Sequence, residues 1–244
     1  MKIIGHRGAA GLVAENTLPS FTRALDIGCR YVELDVHSVR DRVANTLVVI
    51  HDSSLDRTTN LSGPVTARTV AELARADAGN GAPVPTLQEV SAEICRWLQS
   101  RPEISTITIN IELKGPATAE LTAHFIADCR TDHPQLDFVV SSFDHHALID
   151  FRSCDADTPT APLFDKWSGQ WPQIAERVGA SCVNLSQRIA TTKRIAAIHE
   201  AGYEVWCYTV NTRRRAGRLS RMGVDGVFTD RPDRLIEFAR TTAL

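Results

Sequence analysis

Short apolar runs, most of them rich in valine and isoleucine, recur along the chain and alternate with segments of helical periodicity. Nine of these runs have the length and composition of buried strands. They span residues 2–5, 31–36, 47–51, 106–113, 138–143, 161–164, 181–185, 204–210 and 226–229. Regular alternation of strands and helices is typical of α/β proteins with a parallel sheet. We therefore predict an α/β fold.

The predicted helices fill most of the intervals between the strands. They span residues 18–27, 86–98, 117–128, 174–178, 191–200 and 212–222. No linker-like segment, charge block or repeat divides the chain, so we predict a single domain over residues 1–244. An open doubly wound sheet normally carries GxGxxG after its first strand, and the chain lacks this motif. The pattern thus favours a (β/α)8 TIM barrel.

Nine strands exceed the eight positions of such a barrel, so one run needs a separate explanation. The interval from Leu34 to His51 contains no helical pattern. Because antiparallel neighbours can be joined by a short turn whereas parallel neighbours need a crossover, we predict an antiparallel hairpin in this interval.

The composition limits the classes of function. The chain has 244 residues, of which 43% are hydrophobic and 23% charged, and its formal net charge is −2. This near-neutral charge gives no general attraction to nucleic acid or to an anionic membrane. No run approaches the roughly 20 apolar residues that span a bilayer, and the chain begins directly with a strand-like run. We expect a cytoplasmic protein with reduced cysteines and no stable membrane anchoring.

Two carboxylates share one face of the second strand. Glu33 and Asp35 are two residues apart in YVELDV, so they project to the same side of an otherwise apolar run. Glu112 and Lys114 repeat this spacing at the end of the 106–113 run. Active sites of TIM barrels form at the carboxyl ends of the strands, where these charges are placed.

Three carboxylates without a nearby cysteine or histidine pair form an all-oxygen donor set. Such a set suits one hard divalent cation, Mg2+ or Ca2+, rather than zinc. The alternative is structural, with Glu33 paired to Lys114 and Asp35 capping a turn. It would place both charged pairs at strand ends by coincidence, so we favour a metal site formed by Glu33, Asp35 and Glu112.

Two histidines also end strand-like runs. His6 follows KIIG and His51 follows LVVI. Imidazole can accept and donate a proton near neutral pH, so the two rings could act as base and acid on either side of one bond. The sequence leaves the two roles open, with a slight preference for His6 as the base. His37 lies beyond the predicted end of its strand, where we expect it to face solvent or a turn.

Two cations accompany these groups. Arg7 follows His6 directly, and Lys114 shares a face with Glu112. Fixed cations beside a metal site suit the oxygens of a phosphoryl group. From the residues alone we predict metal-assisted phosphoryl chemistry with two histidines.

The ordered set of motifs resembles the glycerophosphodiester phosphodiesterase family over nearly the whole chain. The matching segments are HRG at 6–8, ENT at 15–17, ELD at 33–35, HD at 51–52, RTT at 57–59, ELK at 112–114, SSFD at 141–144 and GVDGVFTD at 223–230. The resemblance implies a TIM barrel that hydrolyses glycerophosphodiesters to glycerol 3-phosphate and an alcohol. It implies a cation on Glu33, Asp35 and Glu112, acid–base roles for His6 and His51, and phosphate contacts from Arg7 and Lys114.

The chain departs from the family pattern at three places. The hairpin turn within 39–46 is long and has no glycine, so its geometry is not predicted. The family's WTVN reads Tyr208-Thr209-Val210-Asn211, with Trp206 two residues earlier on the same strand face, so either ring could line the glycerol site. The segment at about 53–84 is short, which predicts a small cap after the His51 strand and an open mouth.

Two other functions remain possible from the sequence. One is a lysophospholipase D-type phosphodiesterase, and the other is a non-catalytic protein that binds phosphate esters. The preferred headgroup, the choice between Mg2+ and Ca2+, and the oligomeric state are not predicted. A cyclic phosphate intermediate and direct attack by water are equally compatible with these residues.

Overall fold

The computed structural model describes residues 1–41 and 44–242, and in these residues strands alternate with helices as predicted. The strands are β1 (Lys2–Gly5), β2 (Tyr31–Arg40), β3 (Asn45–Val49), β4 (Ile107–Leu113), β5 (Leu136–Ser142), β6 (Thr160–Phe164), β7 (Cys182–Ser186), β8 (Glu204–Tyr208) and β9 (Gly226–Thr229). The helices are α1 (Leu18–Ile27), α2 (Val70–Leu73), α3 (Leu87–Gln99), α4 (Ala119–Asp132), α5 (His145–Cys154), α6 (Trp171–Val178), α7 (Thr192–Glu200), α8 (Arg213–Arg221) and α9 (Pro232–Thr242). A 3-10 turn covers Val65–Ala67.

Eight parallel strands close into a barrel. Their order around the barrel is β1, β9, β8, β7, β6, β5, β4 and β2, and the β1–β2 pairing completes the ring. Helices lie between successive strands, as in a (β/α)8 TIM barrel. The predicted fold class is therefore confirmed.

The ninth strand forms the hairpin that the sequence predicted. β3 pairs antiparallel with β2, from Val36 opposite Val49 to Arg40 opposite Asn45. This pairing extends β2 beyond its predicted end at residue 36. Part of the hairpin turn, at residues 42–43, lies outside the described residues.

The core lies both inside the barrel and between the barrel and the helices. Both faces of β4 are covered: Ile109 and Ile111 are buried on one face, and Asn110 and Glu112 are buried on the opposite face, inside the barrel. Strands of a parallel barrel are covered on both faces, which explains why they appear as continuous apolar runs in the sequence. This packing fixes the carboxyl ends of the strands relative to one another.

The segment at about 53–84 packs as a small cap with its own apolar cluster. Leu55, Val65 and Leu73 have no exposed surface and contact the outer side of the hairpin through residues such as Val39 and Val48. The hairpin thus supports the cap beside the mouth of the barrel.

The six cysteines are free thiols, as predicted. All except Cys154 are buried. Burial raises the pKa of the Cys29 thiol to about 12, so this group stays neutral and packs as a small apolar side chain.

None of the described helices combines the length and apolar composition that crossing a membrane requires.

Helix α3 begins with a reciprocal capping box. The Thr86 hydroxyl accepts a hydrogen bond from the Glu89 backbone N–H at 3.2 Å, and the Glu89 carboxylate accepts from the Thr86 N–H at 2.8 Å. Two backbone donors that the helix leaves unpaired are satisfied in this way.

Replacing this cap tests its contribution to stability. We expect Thr86→Ala to lower the free energy of unfolding by about 1 kcal/mol, because one helix donor loses its acceptor. Urea unfolding followed by circular dichroism measures the change. Thr86→Ser keeps the hydroxyl and serves as the control; equal stability of the alanine and serine variants would contradict this role.

Candidate active site

Three buried carboxylates meet at the carboxyl ends of β2 and β4. Asp35 lies opposite Glu112 in the parallel pairing, and Glu33 lies one inward-facing position earlier on β2. Each side chain offers an oxygen, and these oxygens lie within 4.8 Å of one another. The structure therefore brings together the three residues that the sequence assigned to a metal.

The electrostatics of this cluster show an excess of negative charge. Burial, followed by the charges of Asp35 and Glu112, raises the pKa of Glu33 well above its usual value. Burial and the neighbouring Asp35 raise the pKa of Glu112 to about 7. Burial alone would raise the pKa of Asp35, but the positive charges of Lys114 and Arg7 have the larger combined effect and lower it. Among the described residues, Glu33 Oε1 has no hydrogen-bond partner. The cluster could hold a metal ion.

Arg7 lies against the cluster because of an unusual backbone conformation. Its φ is 50°, in the left-handed region, and its backbone N–H donates to Glu33 Oε2 at 2.8 Å. Its Nε lies 3.3 Å from Asp35 Oδ2, and Nη1 donates to Glu15 Oε1 at 2.8 Å. The guanidinium is thus held between two acidic groups at the edge of the cavity.

Lys114 lies on the other side of the cluster. Its ammonium is 2.5 Å from Glu112 Oε1 and 3.4 Å from Asp35 Oδ1. The ammonium and the Arg7 guanidinium therefore flank Asp35 from two sides. An anionic group entering here would meet both cations.

His6 follows the end of β1 and has one ring nitrogen engaged. Nδ1 lies 2.6 Å from Asp230 Oδ1, and Nε2 lies 3.9 Å from Glu33 Oε2. Because Asp230 is an acceptor when ionised, Nδ1 carries the hydrogen of this bond. The ring presents Nε2 on the side of the carboxylates.

His51 has a similar arrangement on the β3 side. Nδ1 lies 2.6 Å from Asp52 Oδ1, and Arg57 binds both oxygens of Asp52 at 2.5 and 3.1 Å. The pKa of His51 is lowered, mainly because the ring is partly buried.

His37 is buried, whereas the sequence predicted that it faces solvent or a turn. It is 6% exposed, since the hairpin extends β2 to Arg40 and covers it. Its Nε2 lies 3.1 Å from the backbone oxygen of His51. His37 therefore helps fix the position of His51.

These groups line one cavity of about 180 Å3 at the carboxyl end of the barrel. His6, Arg7, Glu33, His51, Glu112 and Lys114 face it together with Asn110, Ser141, Phe143, Leu163, Tyr208, Thr209 and Phe228. Acidic, cationic and imidazole groups share the cavity with apolar side chains, and the Lys114 ammonium lies 5.6 Å from the centroid of the Phe143 ring. The arrangement suits a small phosphate ester with an apolar edge.

The structure does not bring Trp206 to this cavity. Trp206 is 3% exposed, its Nε1 donates to Glu204 Oε2 at 2.8 Å, and its ring packs on Phe228. Glu204 begins β8, so Trp206 lies one layer nearer the amino-terminal end, where a separate pit of about 620 Å3 opens. Two residues along a strand share a face but lie roughly 6.6 Å apart. Of the two rings that the sequence left open for the glycerol site, the structure places Tyr208, and not Trp206, at this cavity.

Sequence reasoning missed the residues that hold the candidate site in place. Asn16 donates to Asp35 Oδ2 at 2.9 Å, and Asp230 and Asp52 bind the two histidines. Asp52 directly follows His51, and Asp230 follows β9, at the same end of the barrel. The rule that barrel sites form at strand ends could have identified both aspartates.

Comparison with known proteins identifies the class to which this barrel and its cavity belong. A family model described as the glycerophosphoryl diester phosphodiesterase family matches residues 6–234. The chain belongs to this family.

Individual relatives match this chain over almost their full length. The chain is 34% identical over 249 residues to the Bacillus subtilis protein YhdW, covering 97% of each chain. It is 32% identical over 252 residues to a glycerophosphodiester phosphodiesterase of Bacillus altitudinis, again covering 97% of each. A solved phosphodiesterase of Oleispira antarctica, in complex with the product sn-glycerol-3-phosphate, superposes with a TM-score of 0.87 at 26% identity, covering 98% of this chain and 97% of that one.

The raised pKa of Glu112 predicts a pH-dependent response to a cation. Without cation, the folded protein keeps this proton up to a pH of about 7, whereas an unfolded glutamate loses it near 4.5. At low pH this proton therefore stabilises the folded protein, and that stabilisation is lost as the pH rises from 4.5 to about 7. A bound cation takes the place of the proton. We expect the increase in Tm from EDTA to Mg2+ to be larger at about pH 8 than at about pH 5.5.

Differential scanning calorimetry measures this difference. Glu112→Gln should reduce the pH dependence of the Mg2+ effect, because one of the two carboxyl groups with a raised pKa is removed, whereas Glu120→Gln, on the exposed side of α4, should retain it. An equal Mg2+ effect at both pH values in the unaltered protein would contradict the assignment.

Proposed function

We propose that the protein hydrolyses glycerophosphodiesters to glycerol 3-phosphate and an alcohol, with one divalent cation. The observation that carries this proposal is the convergence of two histidines, three carboxylates and two cationic side chains on one cavity. These are the groups that phosphoryl chemistry requires for charge stabilisation and proton transfer. We further propose that residues 1–244 act as one domain with a short cap at about 53–84.

The residues present fit a hard divalent cation. The donors are all carboxylate oxygens, Glu33 Oε1 has no hydrogen-bond partner in the described part of the chain, and the pKa values of Glu33 and Glu112 are raised by burial and like charge. Oxygen donors of this kind favour Mg2+ or Ca2+. A cation held by Glu33, Asp35 and Glu112 supplies positive charge that polarises a phosphoryl oxygen.

Arg7 and Lys114 bind and orient the phosphate. Both side chains flank the carboxylates and face the cavity, so the remaining phosphoryl oxygens can accept hydrogen bonds from them. A guanidinium offers planar paired donors and an ammonium acts as a compact charge, so the two hold an anion in one orientation. Their existing contacts with Asp35 keep them in position before substrate binds.

His6 and His51 move the protons. Each ring has Nδ1 engaged by an aspartate, so the Nε2 atoms are the ones left for substrate. One ring removes a proton from the nucleophile and the other donates to the departing alcohol oxygen. The nucleophile is either water or the neighbouring glycerol hydroxyl.

The apolar side of the cavity accommodates the glycerol carbons. Tyr208 packs edge-on against Phe143, with ring centroids 5.6 Å apart, and Leu163 lies beside them. These apolar surfaces contact the glycerol carbons while the glycerol hydroxyls face the charged groups of the cavity. We assign Tyr208 to substrate binding on this basis.

A second candidate is a lysophospholipase D-type activity. Phe143 is 44% exposed at the rim of the cavity, which offers apolar surface to a substrate with an acyl chain. The cap beside the mouth is small, so access from outside is open. The same chemistry would then act on a larger diester.

Removing either histidine tests the proton-transfer roles. We expect His6→Ala and His51→Ala each to lower the turnover of glycerophosphocholine at least about a hundredfold, because one proton transfer loses its catalyst. Choline release measures turnover, and circular dichroism checks folding. His124→Ala, on the exposed side of α4, is the matched control. Full activity in either folded active-site variant would refute the assignment.

Chelation and substrate choice test the rest of the proposal. We expect EDTA to abolish choline release reversibly and either Mg2+ or Ca2+ to restore it, because the carboxylates then regain their cation.

The choice of substrate distinguishes the two candidate activities. Faster choline release from glycerophosphocholine than from micellar lysophosphatidylcholine supports glycerophosphodiester hydrolysis, and the reverse order supports the lysophospholipase D-type activity. Binding of glycerophosphocholine without turnover in excess cation would instead indicate a non-catalytic binder.

A further inference from the structure

Two strand-end segments far apart in sequence meet behind His6. One is the Thr209-Val210-Asn211 segment after β8, and the other is Thr229-Asp230, where β9 ends. The Val210 N–H donates to the Phe228 carbonyl, and the His6 N–H donates to the Thr229 carbonyl. These backbone contacts hold the three strand ends in a fixed relation.

Asn211 binds Asp230 with both ends of its amide. Its Nδ2 donates to Asp230 Oδ2 at 2.6 Å, and its Oδ1 accepts from the Asp230 backbone N–H at 2.9 Å. The Thr229 hydroxyl also donates to Asn211 Oδ1, at 3.2 Å. The amide therefore fixes the rotation of the Asp230 carboxylate and leaves Oδ1 for His6.

The remaining carboxylate oxygen determines which His6 nitrogen carries hydrogen. Oδ1 of Asp230 lies 2.6 Å from His6 Nδ1. A carboxylate can only accept, so the neutral ring must bear its hydrogen on Nδ1 and leave the lone pair on Nε2. Nε2 lies on the side of Glu33, which lines the cavity.

We propose that Asp230, clamped by Asn211, is the positioning residue that holds neutral His6 as its Nδ1–H tautomer, with Nε2 turned toward the cavity. Neither Asp230 nor Asn211 lines the cavity, so both act through His6. The effect on catalysis rests on the proposed function, but the tautomer does not. A side chain that holds an imidazole tautomer contributes to rate without binding substrate.

Nitrogen NMR of protein labelled with 15N-histidine reads the tautomer directly. The His6 resonances are assigned by their loss in His6→Ala, and spectra are recorded in Mg2+ buffer at about pH 8, above the ordinary imidazole pKa near 6.5. We expect His6 of the unaltered protein to show Nδ1–H. Asp230→Asn should shift the His6 population toward Nε2–H, while His51, held by Asp52, stays unchanged as the internal reference.

Kinetics separate a positioning role from a structural one. We expect Asp230→Asn to lower kcat for glycerophosphocholine at least about tenfold, with KM changed less than about threefold, because substrate contacts remain. Asn211→Ala keeps the carboxylate but removes its clamp, so we expect a smaller loss of kcat and a mixed tautomer. The control is Asp233→Asn at the start of α9, which breaks an ion pair with the preceding Arg231 and leaves His6 untouched.

The outcomes distinguish this inference from the proposed function. The inference fails if the unaltered protein shows the Nε2–H tautomer, or if Asp230→Asn leaves the tautomer unchanged. It also fails if the kcat of Asp230→Asn stays within about threefold of that of the unaltered protein. If the unaltered protein does not turn over any glycerophosphodiester, the proposed function fails and the NMR result alone decides the inference. If Asp230→Asn does not fold, the tautomer of the unaltered protein and the Asn211→Ala variant decide it.

Discussion

The mutual repulsion of three buried carboxylates is the constraint on which the rest of the candidate site depends. Glu33, Asp35 and Glu112 are each less than one-tenth exposed, and their oxygens lie within 4.8 Å of one another. Burying like charges this close is costly unless positive charge compensates them. Arg7 and Lys114 supply part of that charge, and both pair with Asp35. The raised pKa values of Glu33 and Glu112 show that the compensation is incomplete.

The turn after β1 is shaped to meet this constraint. Arg7 has a φ of 50° and Gly8 a φ of 83°, which turns the backbone N–H and the guanidinium of Arg7 toward Glu33 and Asp35. A Cβ on Gly8 would lie 2.5 Å from the Ser20 Oγ of α1, so only glycine permits this approach. The HRG motif therefore has a structural explanation. Within three residues, His6 faces the cavity, Arg7 compensates the carboxylates and Gly8 permits the close approach to α1.

The sequence predicted those features that follow from local pattern. Apolar runs predicted the strands, the missing helix between Leu34 and His51 predicted the hairpin, and the period of two placed Glu33 and Asp35 on one face. The depth of a side chain inside the barrel was not predictable, because it depends on strand stagger and closure. Trp206 and Tyr208 share a face, yet only Tyr208 lies at the cavity. Asn211 and Asp230 meet His6 only because β8, β9 and β1 are neighbours in the closed barrel. The cytoplasmic location stays a prediction.

We propose that one divalent cation binds between Glu33, Asp35 and Glu112, and anomalous scattering from a crystal soaked in Mn2+ tests this proposal. Mn2+ accepts the same oxygen donors as Mg2+ and gives an element-specific signal. We expect one strong anomalous peak within bonding distance, roughly 2.2 Å, of an oxygen from each of the three carboxylates. A fully soaked crystal with no peak there, or with its strongest peak elsewhere in the barrel, would contradict a cation site formed by these residues.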